Sequence, residues 1–198
     1  MAGTPDESQL TAAFFERSLA ALQLAARDGA LLALITDVAG AIETSLRAGG
    51  KLLIAGNGGS AADAQHLAAE FLARFVTDRR PLPGIALTTD TSVLTAVGND
   101  YGFEHVFERQ VRGIGRPGDV LLALSTSGRS RNILAALEAA REVGLVTVGF
   151  SGAAEEGEMR ALCRYFLAAP SRETAIIQQI HMVAGHAICA QVERAMLR

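Results

Sequence analysis

Cysteine is scarce. Cys163 and Cys189 show neither the CxxC spacing of a metal or redox motif nor the density of a disulfide scaffold, so both are expected to be reduced core thiols. Positive charge is not concentrated anywhere: 18 Lys and Arg stand against 21 Asp and Glu, for a net charge of −3. The basic stripe that a phosphate backbone requires is missing, which excludes nucleic acid as a direct ligand. No uninterrupted apolar run approaches the ~18 residues of a membrane span. The first ten residues, MAGTPDESQL, are polar and acidic rather than basic then apolar. A soluble, cytoplasmic protein that engages no membrane is expected. Low-complexity segments and fixed-period repeats are absent as well. What is present is 198 residues, 49% of them hydrophobic, enough for one substantial core and a single domain spanning residues 1–198.

Residues 1–50 carry apolar positions at helical spacing in AAFFERSLAALQLAA and again in LLALITDVAGAIETSLRAGG, predicting two helices, the second stopped by Gly49 and Gly50. From 51 to 172 short apolar runs lead into Gly, Ser or Thr loops and then helical stretches: KLLIAG, GIALTT, DVLLALS, LVTVGF and CRYFLAA. Five buried strands interleaved with helices predict a parallel, doubly wound α/β sheet. Pro81, Pro83 and Pro117 mark strand entries, and Arg79 with Arg80 reads as a solvated turn. Residues 173–198 form one long amphipathic helix, with Ile176, Ile180, Val183 and Ala187 on its apolar face and Arg194 and Arg198 at its end. The Ala- and Leu-rich helices at both ends could supply more apolar surface than one protomer hides, which points to oligomerisation.

Ligands of an open parallel sheet bind beyond the carboxyl ends of its strands. After KLLIAG comes Asn57-Gly58-Gly59-Ser60 and then a helix: the glycines allow close backbone approach, Ser60 can cap, and the helix start favours an anion. An ordinary capped turn is the competing reading. After DVLLAL comes Ser125-Thr126-Ser127-Gly128-Arg129-Ser130, with four hydroxyls and no Walker lysine, a loop suited to phosphate oxygens rather than to triphosphate hydrolysis. His66 and Glu70 stand four apart, expected on one helical face close to the helix start, able to share a metal or divide acid–base work. On the last helix His181 and His186 are separated by about 140°, so one of them is structural, and Gln178 lies about 12 Å of helical rise from His186. Helical geometry alone chooses no ligand set. His105, near aromatic residues, reads as packed or exposed rather than catalytic.

Taken together, GNGGSAADAQHLAAEF, TAVGNDYGF, LSTSGRSRNI and IQQIHMVAGH resemble the phosphoheptose isomerases of the sugar-isomerase (SIS) domain family, over nearly the whole chain. The resemblance implies a three-layer, flavodoxin-like α/β/α sandwich around a five-stranded parallel sheet, with extra N-terminal helices, assembled as a homotetramer with active sites at subunit interfaces. It implies interconversion of sedoheptulose 7-phosphate and D-glycero-D-manno-heptose 7-phosphate, the entry to bacterial heptose synthesis. Carried over by motif, Asn57, Gly58, Gly59, Ser60, Glu70, Arg74, Asn99, Asp100, Ser125, Thr126, Ser127, Ser130 and Gln178 would contact the phosphosugar. Glu70 would be the base and His186 the acid, and His66, Glu70, Gln178 and His186 would hold one zinc ion per subunit. Gln179 and Ile176 depart from the acidic and basic residues often found at their positions in that family. Two other readings compete: a non-enzymatic SIS regulator of replication initiation, against which the retained Glu70 and His186 argue, and an isomerase of another phosphosugar.

Overall fold

In the computed structural model, residues 7–153 and 157–197 are described; Arg198, expected to close the last helix, lies outside them. The two stretches of helical spacing at the start of the sequence become α1 (Glu7–Arg27) and α2 (Gly29–Arg47), separated by Asp28, whose carboxylate accepts the Ala30 and Leu31 amides and caps α2. The core follows as β1 (Leu52–Gly56), α3 (Gly59–Leu72), β2 (Gly84–Ala86), α4 (Thr91–Asp100), a 3₁₀ turn (Phe103–His105), α5 (Glu108–Ile114), β3 (Val120–Leu124), α6 (Arg131–Val143), β4 (Val146–Ser151), α7 (Glu158–Leu162) and β5 (Tyr165–Ala168). The chain ends in α8 (Thr174–Met196).

The five strands are parallel, in the order β2-β1-β3-β4-β5. Alternate residues of each strand face opposite sides. Leu52, Ile54, Leu122 and Phe150 pack under α1, α2, α3 and α8, while Leu53, Ala55, Leu121 and Ala123 pack under α4, α5, α6 and α7. Both faces are thus covered, which is why the strands read as continuous apolar runs. β2 is shorter than GIALTT suggested, because as an edge strand it pairs only with β1. At the amino ends of the two central strands, Asp119 accepts the backbone amides of Lys51 and Arg116 and pairs with the Lys51 ammonium. That carboxylate ties β1 to β3, the strands whose opposite ends carry the two candidate loops.

The terminal helix buries Ile176, Ile177, Ile180, Ala184, Ile188 and Val192. Val183, expected on that stripe, is exposed. α2 has a window of mean hydropathy 1.4, apolar and long enough to cross a membrane by composition, yet its face of Leu31, Ile35, Val38, Ile42 and Leu46 is packed in the core. α1 does the reverse of a core helix: it lays Ser18, Ala21 and Ala25 inward and turns Leu10, Phe15, Leu19 and Leu24 outward. Truncating the fully buried Ile42 to Ala is expected to cost about 3 kcal/mol, read as a lowered denaturation midpoint with unchanged m-value.

Candidate active site

The sheet order places the topological switch between β1 and β3, where the chain leaves in opposite directions and a crevice opens at the strand ends. Both candidate loops lie there. After β1, Gly58 adopts φ +56°, a conformation that favours glycine, and serves as the residue before α3. Ser60 is therefore not the cap; it sits inside the first turn of the helix and is buried. After β3, the hydroxyl of buried Ser125 lies 3.1 Å from that of Ser130, and Ser127 accepts the Arg129 amide. Ser130 precedes α6 without capping it through its side chain. The two loops are joined by a reciprocal pair of amide bonds, Asn57 Nδ2 to Asn132 Oδ1 at 2.9 Å and Asn132 Nδ2 to Asn57 Oδ1 at 2.8 Å. Sequence reasoning missed Asn132; its signal was an amide at the start of the helix after the hydroxyl loop.

A second group forms farther along α3. His66 and Glu70 lie in the second half of the helix rather than near its start, His66 about 10 Å of helical rise from Gly59. Across from them on α8 stands His186. His66 Nε2 is 3.0 Å from His186 Nε2 and 3.3 Å from Glu70 Oε1. One donor atom from each of the three residues lies within 4.8 Å of the others. Ligand atoms about 2.1 Å from a tetrahedral metal centre stand about 3.4 Å apart, so this imidazole, imidazole and carboxylate set fits a divalent transition metal. One turn before His66, Asp63 has a buried Oδ2 with no partner; burial pushes its carboxyl up, with His66 pulling the other way.

His181 and His186 part company as the helical angle required. His181 is 1% exposed, its Nε2 3.1 Å from the Ser151 carbonyl, its ring against Phe150, and burial pushes its pKa down to about 4 despite that hydrogen bond. It is the structural histidine. His105 is hydrogen-bonded to Glu108 on the surface. Both thiols are pushed up to about 12 by burial, as expected of inert core cysteines.

Other expected contacts are not brought to the cluster. The Gln178 amide packs so close to Gly59 that a Cβ there would meet Nε2 at 2.5 Å, which leaves it at the first loop and away from His186 in the same chain. Arg74 is exposed and follows the end of α3 rather than continuing it. Asn99 and Asp100 are exposed at the end of α4, bonded to each other, with no hydrogen bond to either loop among the described residues. Ile176 is in the core, which explains an apolar residue at that position. Arg79 also corrects its sequence reading: its side chain is 5% exposed and faces Glu193 rather than solvent. A cavity of about 820 Å³ touches Thr126, Ser127 and Arg129 on the outer side of the second loop, together with Ser151, Arg160 and Arg172, but not the histidines. Donor chemistry, not cavity size, marks the histidine–glutamate cluster as the candidate centre.

A parallel sheet with glycine-rich and hydroxyl-rich loops at its switch point defines a doubly wound α/β domain, and the sequence pattern of the SIS domain family matches residues 15–152. The chain is 59% identical over 182 residues to a phosphoheptose isomerase of Bradyrhizobium sp. (strain ORS 278), covering 92% of this chain and 91% of the relative. It is 58% identical over 162 residues to one of Rhodospirillum rubrum, covering 82% and 86%. The solved structure of phosphoheptose isomerase GmhA from Neisseria gonorrhoeae superposes with a TM-score of 0.89 at 41% identity, over 96% of this chain and 100% of that one. A phosphoheptose isomerase from Francisella tularensis gives 0.91 at 35%, with the same coverage. The chain belongs to the SIS-domain proteins and, within them, to the phosphoheptose isomerase family.

Buried His181 makes a prediction independent of catalysis. Its pKa rises from about 4 in the fold to 6.5 when unfolded, so below pH 6.5 the unfolded state binds the extra proton. Stability is present above that pH and is lost as pH falls toward 4, by about 3 kcal/mol. Urea denaturation of His181→Asn is expected to show a flatter acid limb than the parent between about pH 7 and about pH 4.5.

Proposed function

We propose that this protein is a soluble, cytoplasmic aldose–ketose isomerase that interconverts sedoheptulose 7-phosphate and D-glycero-D-manno-heptose 7-phosphate. The observation that carries the reading is the meeting of Glu70, His66 and His186 across two helices, in a chain so close to phosphoheptose isomerases. Ser125, Thr126, Ser127 and Ser130 hold the phosphate with the amides at the start of α6. Asn57, Gly58, Gly59, Ser60 and Gln178 meet sugar hydroxyls at the neighbouring loop. Glu70 removes a proton from the carbon next to the carbonyl as His186 protonates the carbonyl oxygen; the resulting enediol then takes a proton from Glu70 at the adjacent carbon while its other hydroxyl returns one to His186.

Zinc bound by His66, Glu70 and His186 would polarise the carbonyl and stabilise negative charge on its oxygen. Gln178 completes that set only when it comes from another copy of the chain, because its own side chain lies at Gly59. A carboxylate that binds metal is a weaker base, so Glu70 has to loosen that contact to accept the proton. The assembly is a homotetramer: α1 turns Phe15 and Leu19 outward, and exposed Leu72, Val76 and Val183 belong to the segments that carry the cluster. Exposed Arg74, Asn99 and Asp100 are then available to a site shared between subunits.

Purified protein incubated with sedoheptulose 7-phosphate, with and without zinc, is expected to form the aldose, and Glu70→Gln to lower kcat about 10³-fold with KM changed little. No turnover by metal-loaded, tetrameric protein would overturn the isomerase reading. Full activity in the variant would remove Glu70 as the base.

A further inference from the structure

Helices α3 and α8 run parallel, and their contacts climb both together. Gln178 lies on Gly59, Gly185 on Leu67, His186 on His66, and Glu193 on the segment just after α3. Gly185 permits this approach, since a Cβ there would come within 2.7 Å of the Leu67 side chain. At the far end of the seam sits a buried ion pair that the proton chemistry does not use: Arg79 and Glu193, each side chain 5% exposed.

Arg79 Nε lies 3.2 Å from Glu193 Oε2, but its N–H is not aimed at that oxygen, so charge rather than a hydrogen bond joins them. Its other nitrogens are engaged elsewhere. Nη2 donates to the Glu70 carbonyl at 2.8 Å, and Nη1 to the carbonyls of Phe71 at 2.9 Å and Arg80 at 3.1 Å. Carbonyls of a last helical turn have no partner within the helix, and that end carries partial negative charge. The guanidinium therefore closes α3 at the very residue that bears the proton-moving carboxylate.

Glu193 works from the other side. Its carboxylate accepts the amides of Phe75 at 2.9 Å, Val76 at 2.9 Å and Thr77 at 2.8 Å. Burial pushes that carboxyl up, but the three amides and Arg79 outweigh it and hold it below the ordinary value, so it stays charged. The ring of Phe75, whose amide is held in this way, lies 5.6 Å from that of His186. One clamp thus touches the backbone of Glu70 and the ring neighbour of His186.

We propose that Arg79 and Glu193 are positioning residues of the isomerase: they place Glu70 and His186 against one another, and so set both metal affinity and the rate of proton transfer, without meeting the substrate. The kinetic part rests on the function proposed above; the metal part does not.

Arg79→Lys and Glu193→Gln test this in the full-length protein, at a temperature below the melting point of each variant. Zinc affinity is expected to fall about tenfold or more, and kcat by a similar factor with KM within about twofold. The absorption spectrum of the cobalt-substituted variants is expected to differ from that of the parent. A clamp that served folding alone would lower the melting temperature and leave all three readings at parental values, which would overturn the proposal. Hydrogen exchange in the unmutated protein decides the case even where both variants fail to fold. By reciprocity, added zinc should slow exchange at the amides of Phe75, Val76 and Thr77, and unchanged exchange there would overturn the proposal. Absence of turnover by the parent would sink the isomerase reading, while metal affinity and exchange would still judge the clamp.

Discussion

The close parallel contact between α3 and α8 is the constraint on which the site depends. Neither helix holds a reactive centre alone: α3 brings His66 and Glu70, four apart on one face, and α8 brings His186. They meet because Gly185 lets the Leu67 side chain lie against the α8 backbone, one residue away from the histidines on each helix. Behind the seam, Ile180, Ala184 and Ile188 of α8 share a core with Ala64, Leu67 and Phe71 of α3 and one face of the sheet. Packing of that kind is close and rigid rather than soft, so it delivers side chains to within hydrogen-bond distance of each other without help from a ligand.

The sheet contributes a different part. Its switch point sets the β1 and β3 loops side by side, and the Asn57–Asn132 pair locks one to the other. Asp119 does the same for the opposite ends of these strands through Lys51 and Arg116. On the reading proposed above, phosphate recognition would sit on the rigid middle of the sheet and proton transfer on the helical layer. α3 connects the two, starting at the glycine loop and carrying His66 and Glu70 farther along.

Much of this was legible in the sequence. Central strands β1, β3 and β4, buried on both faces, leave uninterrupted apolar runs and could be read nearly to their ends; the edge strands β2 and β5, each with one neighbour, are shorter than their runs. Both loops stood out because Gly and Ser follow such runs directly, with an ordinary capped turn as the competing reading of the first. The choice between His181 and His186 was not available from spacing, since it depends on what each faces: His181 meets the Ser151 carbonyl inside the core, and His186 meets α3. Arg79 was misread for the same reason. Paired arginines beside prolines look solvated, and only the fold reveals that Glu193, more than a hundred residues later, lies opposite one of them.

Transfer of a proton through an enediol is the claim on which the account turns, and running the reaction in D₂O tests it most directly. The aldose formed from sedoheptulose 7-phosphate is predicted to carry solvent deuterium at the carbon that was the ketone, increasingly so over repeated turnovers. Aldose that stays free of deuterium even after prolonged equilibration through many reversals would mean a direct hydride shift, and would contradict the assignment of Glu70 and His186.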